Sequence, residues 1–322
     1  PPPPPPPPPP PTPPDYIRRQ RQMCIRDRSL LVTVLILLLT ACSGGPSLKD
    51  EIIRFEPTYA KPPAQEGILH ELATGITAEH GPEASGFRLL DHSFNALSAR
   101  LALIDSAVST LDIQTYLWYP DNAGRLILER AIHAANRGVH VRLVVDDLLT
   151  IGQDQLIYEL DQRPNIEVRL FNPWKSRSTL ARAGEMVAEL ERLNTRMHDK
   201  LLIADSNAAV VGGRNIGDHY LGLSHDYNVH DLDLLGFGHI AQQSNEMFDH
   251  FWNSEWVVSA VNLDVEPDPE YARQAWVDLQ AKNRAAEELE AFGVEARDWA
   301  EVARKLAGEL HIGKSLLVYD ET

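Results

Sequence analysis

The chain has 322 residues, 43% hydrophobic and 24% charged, which is room for one large packed domain or two ordinary ones. Its only two cysteines are Cys24 and Cys42, so the part after Cys42 excludes disulfides and cysteine-based metal sites. That part carries 25 basic against 44 acidic side chains, a net −19, and a field of that sign disfavours non-specific nucleic-acid binding.

Thirteen of the first fourteen residues are proline, and DYIRRQRQMCIRDR follows with no apolar period. Residues 1–28 therefore read as a disordered or artefact-like proline-rich segment, with Met23 as the expected start. Arg26 and Arg28 then precede an apolar run from Leu30 to Leu39, too short for a bilayer span of about 20 residues. A basic start, a short apolar core and small residues after it describe an export signal over 29–42. The ending Leu39-Thr40-Ala41-Cys42 resembles a bacterial lipoprotein box, with Cys42 as the lipidated residue. The expected location is the bacterial cell envelope, outside the cytoplasm and anchored to a membrane; a plain signal peptide is the alternative.

Residues 43–85 are polar, contain Pro46, Pro57, Pro62, Pro63 and Pro82, and read as a flexible tether. From Gly86 the pattern becomes regular. Leu97, Leu101, Ile104 and Val108 recur at helical spacing, and TLDIQTYLWY reads as a strand. Ala123 to Arg137 is helical, with an inner stripe of Leu126, Ile127, Arg130, Ala131 and Ala134 and a stop at Gly138. VHVRLVV, a short helix from Gln155 to Gln162, and IEVRLF follow. This alternation predicts an α/β fold, a mostly parallel mixed sheet flanked by helices over residues 86–260. A charged helix is expected around EMVAELERL, a strand at LDLLGF, a helix at HIAQQSNEMFDHFW, and a solvated helical connector over 261–322.

The chemistry concentrates in RMHDKLLIADSNAAVVGGRN, residues 196–215. HDKLLIAD and NAAVVGG are two apolar runs joined at Asp205-Ser206-Asn207, the pattern of a β-hairpin. Strand alternation puts His198, Lys200 and Leu202 on one face, with His198 and Lys200 roughly 7 Å apart at a rise of ~3.3 Å per residue. Asp205 falls at the turn, where its carboxylate can accept backbone N–H groups. Gly212 and Gly213 allow a ligand or another backbone to approach closely, and Asn215 reads as the first turn of a helix, whose N–H groups favour an anion. An imidazole, an ammonium, an amide and a helix start together suit a phosphate: the first attacks phosphorus or moves a proton, the others stabilise charge on oxygen. No cofactor or metal is called for. Asp146 and Asp147 at a strand end read as capping for the next helix or as lining of the site. Tyr116, Trp118 and Tyr119 read as core and rim packing or as the border of an acyl-chain groove.

HxKxxxxD followed by GGxN resembles the signature of the phospholipase D superfamily, and His198, Lys200, Asp205, Gly212, Gly213 and Asn215 all fall on it. The likeness extends over about 86–260, where DIQTYLW, AANRGVHVRLVVDD, GGRNIGDHY and DLDLLGFG are similar to the bacterial cardiolipin-synthase branch. The resemblance implies His198, Lys200, Asp205 and Asn215 as catalytic residues, and Gly212, Gly213, Lys200 and Asn215 around the phosphate. It implies a phosphodiester exchange on a phospholipid such as phosphatidylglycerol, through a phosphohistidine, with an acidic residue orienting the histidine. Asp231 occupies that position, with Asp226 as rival. The alternatives are a hydrolytic phospholipase D, an exported nuclease of the superfamily, or a non-catalytic envelope lipoprotein.

Such an exchange needs two motif histidines, and His219, His225, His230, His239, His250 and His311 all lack a lysine two residues on. The ending HIGKSLLVYDET resembles the run into the second half of the cardiolipin-synthase branch. The expectation is a truncated product whose partner motif lies in a missing C-terminal half, or else a homodimer.

Overall fold

A computed structural model describes residues 47–49, 51–150, 152–177, 179–293 and 297–319. Met23, the apolar run at 30–39 and Cys42 lie outside the described residues. Strands β1 (Ala84–Leu90), β2 (Thr110–Thr115), β3 (His140–Asp146), β4 (Ile166–Phe171), β5 (Lys200–Ala204), β6 (Ala208–Gly212), β7 (Asp233–Gly238), β8 (Val257–Ser259) and β9 (His311–Lys314) form one sheet. Their order is β8-β4-β3-β2-β5-β6-β7-β1-β9. The α/β class and the large helix-flanked sheet are as expected. The parallel part, however, is confined to β2–β3 and β3–β4. The other pairings among the described strands are antiparallel, so the sheet is mixed rather than mostly parallel.

Strand alternation sorts the sheet's side chains into two cores. Leu111, Ile113, Leu143, Val168, Leu202 and Phe237 enter one core. It is covered by α1 (Gly67–His80), α2 (Ser93–Ser106), α3 (Asn122–Asn136) and α4 (Asp154–Asp161). The short helices α5 (Thr179–Ala188), α6 (Leu190–Asn194) and α7 (Asp218–Leu221) belong to connections, and α8 (His239–Trp252) covers the other face. There Val144, Leu201, Ile203 and Ala209 meet Met247, Phe248, Phe251 and Trp252. Helix α3 forms as its sequence dictates: Asp121 caps it by accepting the Gly124 N–H at 3.1 Å, and all five stripe residues are buried. Arg130, inside that stripe, is accommodated because its guanidinium reaches Asp105 at 2.8 Å and the Phe292 carbonyl at 2.6 Å.

Two boundaries need correction. Residues 67–80 are not tether: α1 buries Ile68, Leu69, Ala73 and Ile76 against β1 and β7. Nor is 261–322 only a solvated connector. Helix α9 (Pro269–Ala285) packs on α3 and α4, α10 (Trp299–Ala307) packs on α2 and α1, and β9 extends the sheet beyond β1. The charge of α9 and α10 lies on outward faces, while Leu279, Trp299, Ala303 and Leu306 are buried.

Candidate active site

The expected hairpin is present. β5 and β6 pair from Lys200↔Gly212 to Ala204↔Ala208, and the turn places Asp205 and Ser206 at φ 57° and 55°. Strand β5 also pairs with β2, with Leu201 opposite Gln114. Its first residue therefore lies at the carboxyl ends of β2 and β3, where open α/β sheets characteristically present their ligands.

Lys200 is the first residue of β5 and is buried, whereas His198 stands two residues ahead of the strand and is exposed. Both meet Tyr116, the residue that follows β2. The imidazole ring centroid is 5.0 Å from the phenol ring, and the Lys200 ammonium sits 5.3 Å over it. The ammonium also donates to the His198 carbonyl. Burial pushes the Lys200 amine down, and the charges of Asp199 and Asp231 pull it back up.

The backbone ahead of His198 is held from β3. Asp146 accepts from the Arg196 guanidinium at 3.1 Å and from the Met197 N–H at 3.2 Å. It also accepts from the Leu148 N–H at 3.0 Å. Burial drives its carboxyl up to about 7, against the pull of Arg196 and the two N–H groups. Asp146 is therefore an anchor for the segment leading to the histidine rather than a cap on α4. Asp147 instead takes the Trp174 N–H at 2.8 Å and the Arg177 guanidinium, in a buried cluster with Asp154.

Asp205 is not at this cluster. It lies at the opposite end of β5, where its carboxylate accepts the N–H groups of Val108, Ser109 and Thr110 at 2.7–3.1 Å. The glycine pair also differs from expectation. A side chain on Gly212 would strike the Asp233 carboxylate, with Asp233 Cα and the Leu232 carbonyl each at 2.6 Å, and one on Gly213 would strike the Asp231 carboxylate. The Gly213 N–H is already given to Leu232 at 3.0 Å. Close approach is needed, but by β7 and its two aspartates. Asp233 is a buried hub, 2.8 Å from the Arg100 guanidinium and 3.3 Å from that of Arg214.

Asp231 lies against Gly213, accepts the Leu232 N–H at 2.8 Å, and contributes negative field at Lys200. Asp226 sits in an exposed loop, its N–H facing the Ser224 hydroxyl. Asn215 does not start a helix, since α7 begins at Asp218. Buried, it accepts the Leu117 N–H through its side-chain oxygen at 3.1 Å. The Ile216 N–H donates to Leu117 at 3.1 Å and the Tyr119 N–H to Ile216 at 2.9 Å, so the GGRN loop is laced to the exit of β2. His198, Lys200 and Tyr116 form one cluster, with Asp231 electrostatically linked to it and Asn215 tied to the residue after Tyr116. Among the described residues, no group of three or more His, Cys, Asp or Glu is gathered to hold a metal ion. Sequence reasoning missed Arg196, Arg214 and Arg100, and the only available signal was their position beside the motif or in an otherwise apolar helix.

The family described as "Cardiolipin synthase, PLD-like domain" matches residues 101–252, a segment that contains the whole motif. Residues 101–252 are therefore similar to a phospholipase D-like domain. Cardiolipin synthase C of Escherichia coli K12 is 41% identical over 177 residues, covering 55% of this chain and 37% of that protein. A protein of Helicobacter pylori J99 named only as uncharacterized is 40% identical over 174 residues, covering 54% of this chain and 35% of that protein. The chain thus spans little more than a third of the curated relatives it matches. Among solved structures, NucT from Helicobacter pylori aligns with a TM-score of 0.40 at 18% identity, covering 54% of this chain and 97% of that one.

Proposed function

We propose that this domain supplies the nucleophilic half of a phosphodiester-exchange site acting on phospholipids, as a transphosphatidylase of the cardiolipin-synthase kind. The observation that carries the reading is the common packing of His198 and Lys200 on Tyr116. It holds an exposed imidazole beside a buried cation at the end of a rigid strand. One imidazole nitrogen of His198 forms a bond to phosphorus while the bond from phosphorus to the leaving alcohol breaks, and the alkoxide takes a proton from the histidine of a second motif. An incoming alcohol then reverses the sequence and releases His198. Lys200 stabilises the negative charge that builds on the non-bridging oxygens, the more so because it is shielded from water. Asn215 holds the loop after Leu117 beside that charge. A second HxKxxxxD from another domain or another copy completes the site. Lipidation at Cys42 would keep the domain at a membrane surface.

Because the missing group is an acid, the half-site is tested with a leaving group that needs none. Phosphatidyl-p-nitrophenol should give a burst of nitrophenolate approaching one equivalent, with an acid-labile phosphoryl adduct mapped to His198 by mass spectrometry. His198→Ala should give neither. A full burst from the His198→Ala variant, or an adduct at another residue, refutes the assignment.

A further inference from the structure

An apolar cavity of about 70 Å³ lies between α4 and the β3–β4 surface. Its walls include Leu143, Val145, Leu156, Leu160, Val168 and Leu170, and Asp146 also lines it. A second hollow of about 320 Å³ runs outward under α9 past Tyr271 and Leu279 to the exposed Lys282. Trp118, Leu128, Gln153 and Leu156 line both, so the two hollows adjoin as the parts of a prospective channel. The Trp118 indole N–H is satisfied by the Gly124 carbonyl at 3.2 Å, which leaves the ring's apolar surface for the channel.

This hollow meets the candidate site at one residue. Asp146 lines the cavity and also accepts the Met197 N–H, one residue before His198, while its charge acts on the Tyr116 phenol. Leu149, which also lines the cavity, is 40% exposed, an apolar residue standing at its opening. The inner hollow is less than half the ~150 Å³ of a dry cavity that takes up benzene. The mostly aliphatic walls of the inner hollow disfavour ions, and its small bore disfavours rings, which points to a narrow, flexible hydrocarbon.

We propose that the channel lined by Trp118, Leu143, Val168 and Leu149 binds one fatty acyl chain of the lipid whose phosphate is presented to His198. The proposal rests on the phospholipid reading above and assigns the recognition of the hydrocarbon. Acyl binding at this place favours diacyl phospholipids over their deacylated head groups.

The test uses the whole chain and reads fluorescence, independently of turnover. Short-chain phosphatidylglycerol brominated at the acyl ends, kept below its micelle concentration, should quench the Trp118 emission saturably. Brominated decanoate should do so more weakly, and unbrominated lipid should compete. Trp118→Phe should remove most of the quenching, since Trp118 is the one tryptophan of the six that lines either hollow. Leu149→Asp, at an exposed position that tolerates charge, should raise the half-saturating concentration at least tenfold. Absence of quenching, quenching retained in Trp118→Phe, or an unchanged midpoint in Leu149→Asp would overturn the channel. Quenching by decanoate matching that of the lipid would show a fatty-acid site and reject the phospholipid occupant. Glycerophosphoglycerol, tested in parallel for slowing the nitrophenolate burst, probes the head-group site. If it fails to slow the burst while bromolipid quenches, the phosphate reading fails and the channel stands.

Discussion

Lys200 and Asp205, the second and third signature residues of the motif, occupy opposite ends of one strand and do not meet. Five residues at ~3.3 Å each separate them by roughly 16 Å. The spacing therefore encodes the length of β5: the lysine faces the candidate site, and the aspartate locks the far end by accepting three successive N–H groups from the loop that enters β2. Asp205→Asn is the informative change, because Asn tolerates the left-handed φ of 57° but offers one accepting oxygen in place of a charged pair. It should cost about 2–4 kcal/mol in urea unfolding, with an unchanged denaturant slope. At temperatures where the variant is folded, the His198 burst should keep its amplitude. A collapse of the burst in a fully folded variant would place Asp205 back in the chemistry.

The two glycines should respond unequally to an added methyl group. At Gly212 the new carbon meets Asp233 Cα and the Leu232 carbonyl, both backbone, at 2.6 Å. Strand β7 would have to move, and overpacking of that kind costs about 1–3 kcal/mol or more. At Gly213 the obstacle is the Asp231 carboxylate, the end of a side chain that can swing away. Gly212→Ala should therefore lower the melting temperature clearly, while Gly213→Ala should leave it nearly unchanged and alter the pH dependence of the burst, because Asp231 moves relative to Lys200. Equal destabilisation in calorimetry would count against this account.

How much of this was legible beforehand follows from where each signal resides. The hairpin and α3 were readable because alternation and the 3.6-residue stripe are local, as was the Asp205 turn. Helix α1 was hidden by Pro57, Pro62 and Pro63 just ahead of it, although Ile68, Leu69, Ala73 and Ile76 keep helical spacing. Strands β8 and β9 have only three and four residues, too few for an alternation to show, and pairing with their neighbours defines them. Asn215 reads as a helix start from the segment that follows it, yet the backbone there is committed to Leu117 and Tyr119. The attachment of Asp146 to Arg196 and Met197 crosses fifty residues of chain, and no local pattern can announce it.

That attachment makes a pH prediction. The Asp146 carboxyl is raised from 3.8 to about 7 by burial, so the folded state holds its proton more tightly than the unfolded chain does. Its contribution to stability is therefore fully present below about pH 4 and is lost as pH rises toward 7, and a displacement of this size is worth about 4 kcal/mol. Asp146→Asn removes the titration and leaves the other groups in place. The difference in unfolding free energy between variant and wild type should shift in the variant's favour between pH 4.5 and 7.5, then level off. A pH-independent difference would mean that Arg196 and the two N–H groups hold the carboxylate ionised throughout.

Tyr116 should decide whether the cluster acts as a unit. Its ring is tilted 48° to the His198 ring and lies under the Lys200 ammonium, so it restrains one partner and shields the other from water. Tyr116→Phe keeps both contacts and should leave the nitrophenolate burst within about twofold, since the cation–ring attraction of about 0.5–2 kcal/mol resides in the ring face. Tyr116→Ala removes the restraint and opens the buried side of Lys200. The burst rate should fall by roughly 10–100-fold, the cost of misplacing reacting groups by about an ångström. The Lys200 amine should also titrate higher, because burial is what holds it down. The amine is read directly by ¹³C-methylation of the lysines, with Lys200→Arg assigning its resonance. If the burst slows in Tyr116→Ala while the Lys200 titration stays put, the ring orients His198 alone, and the shielding of the cation must come from the strand itself.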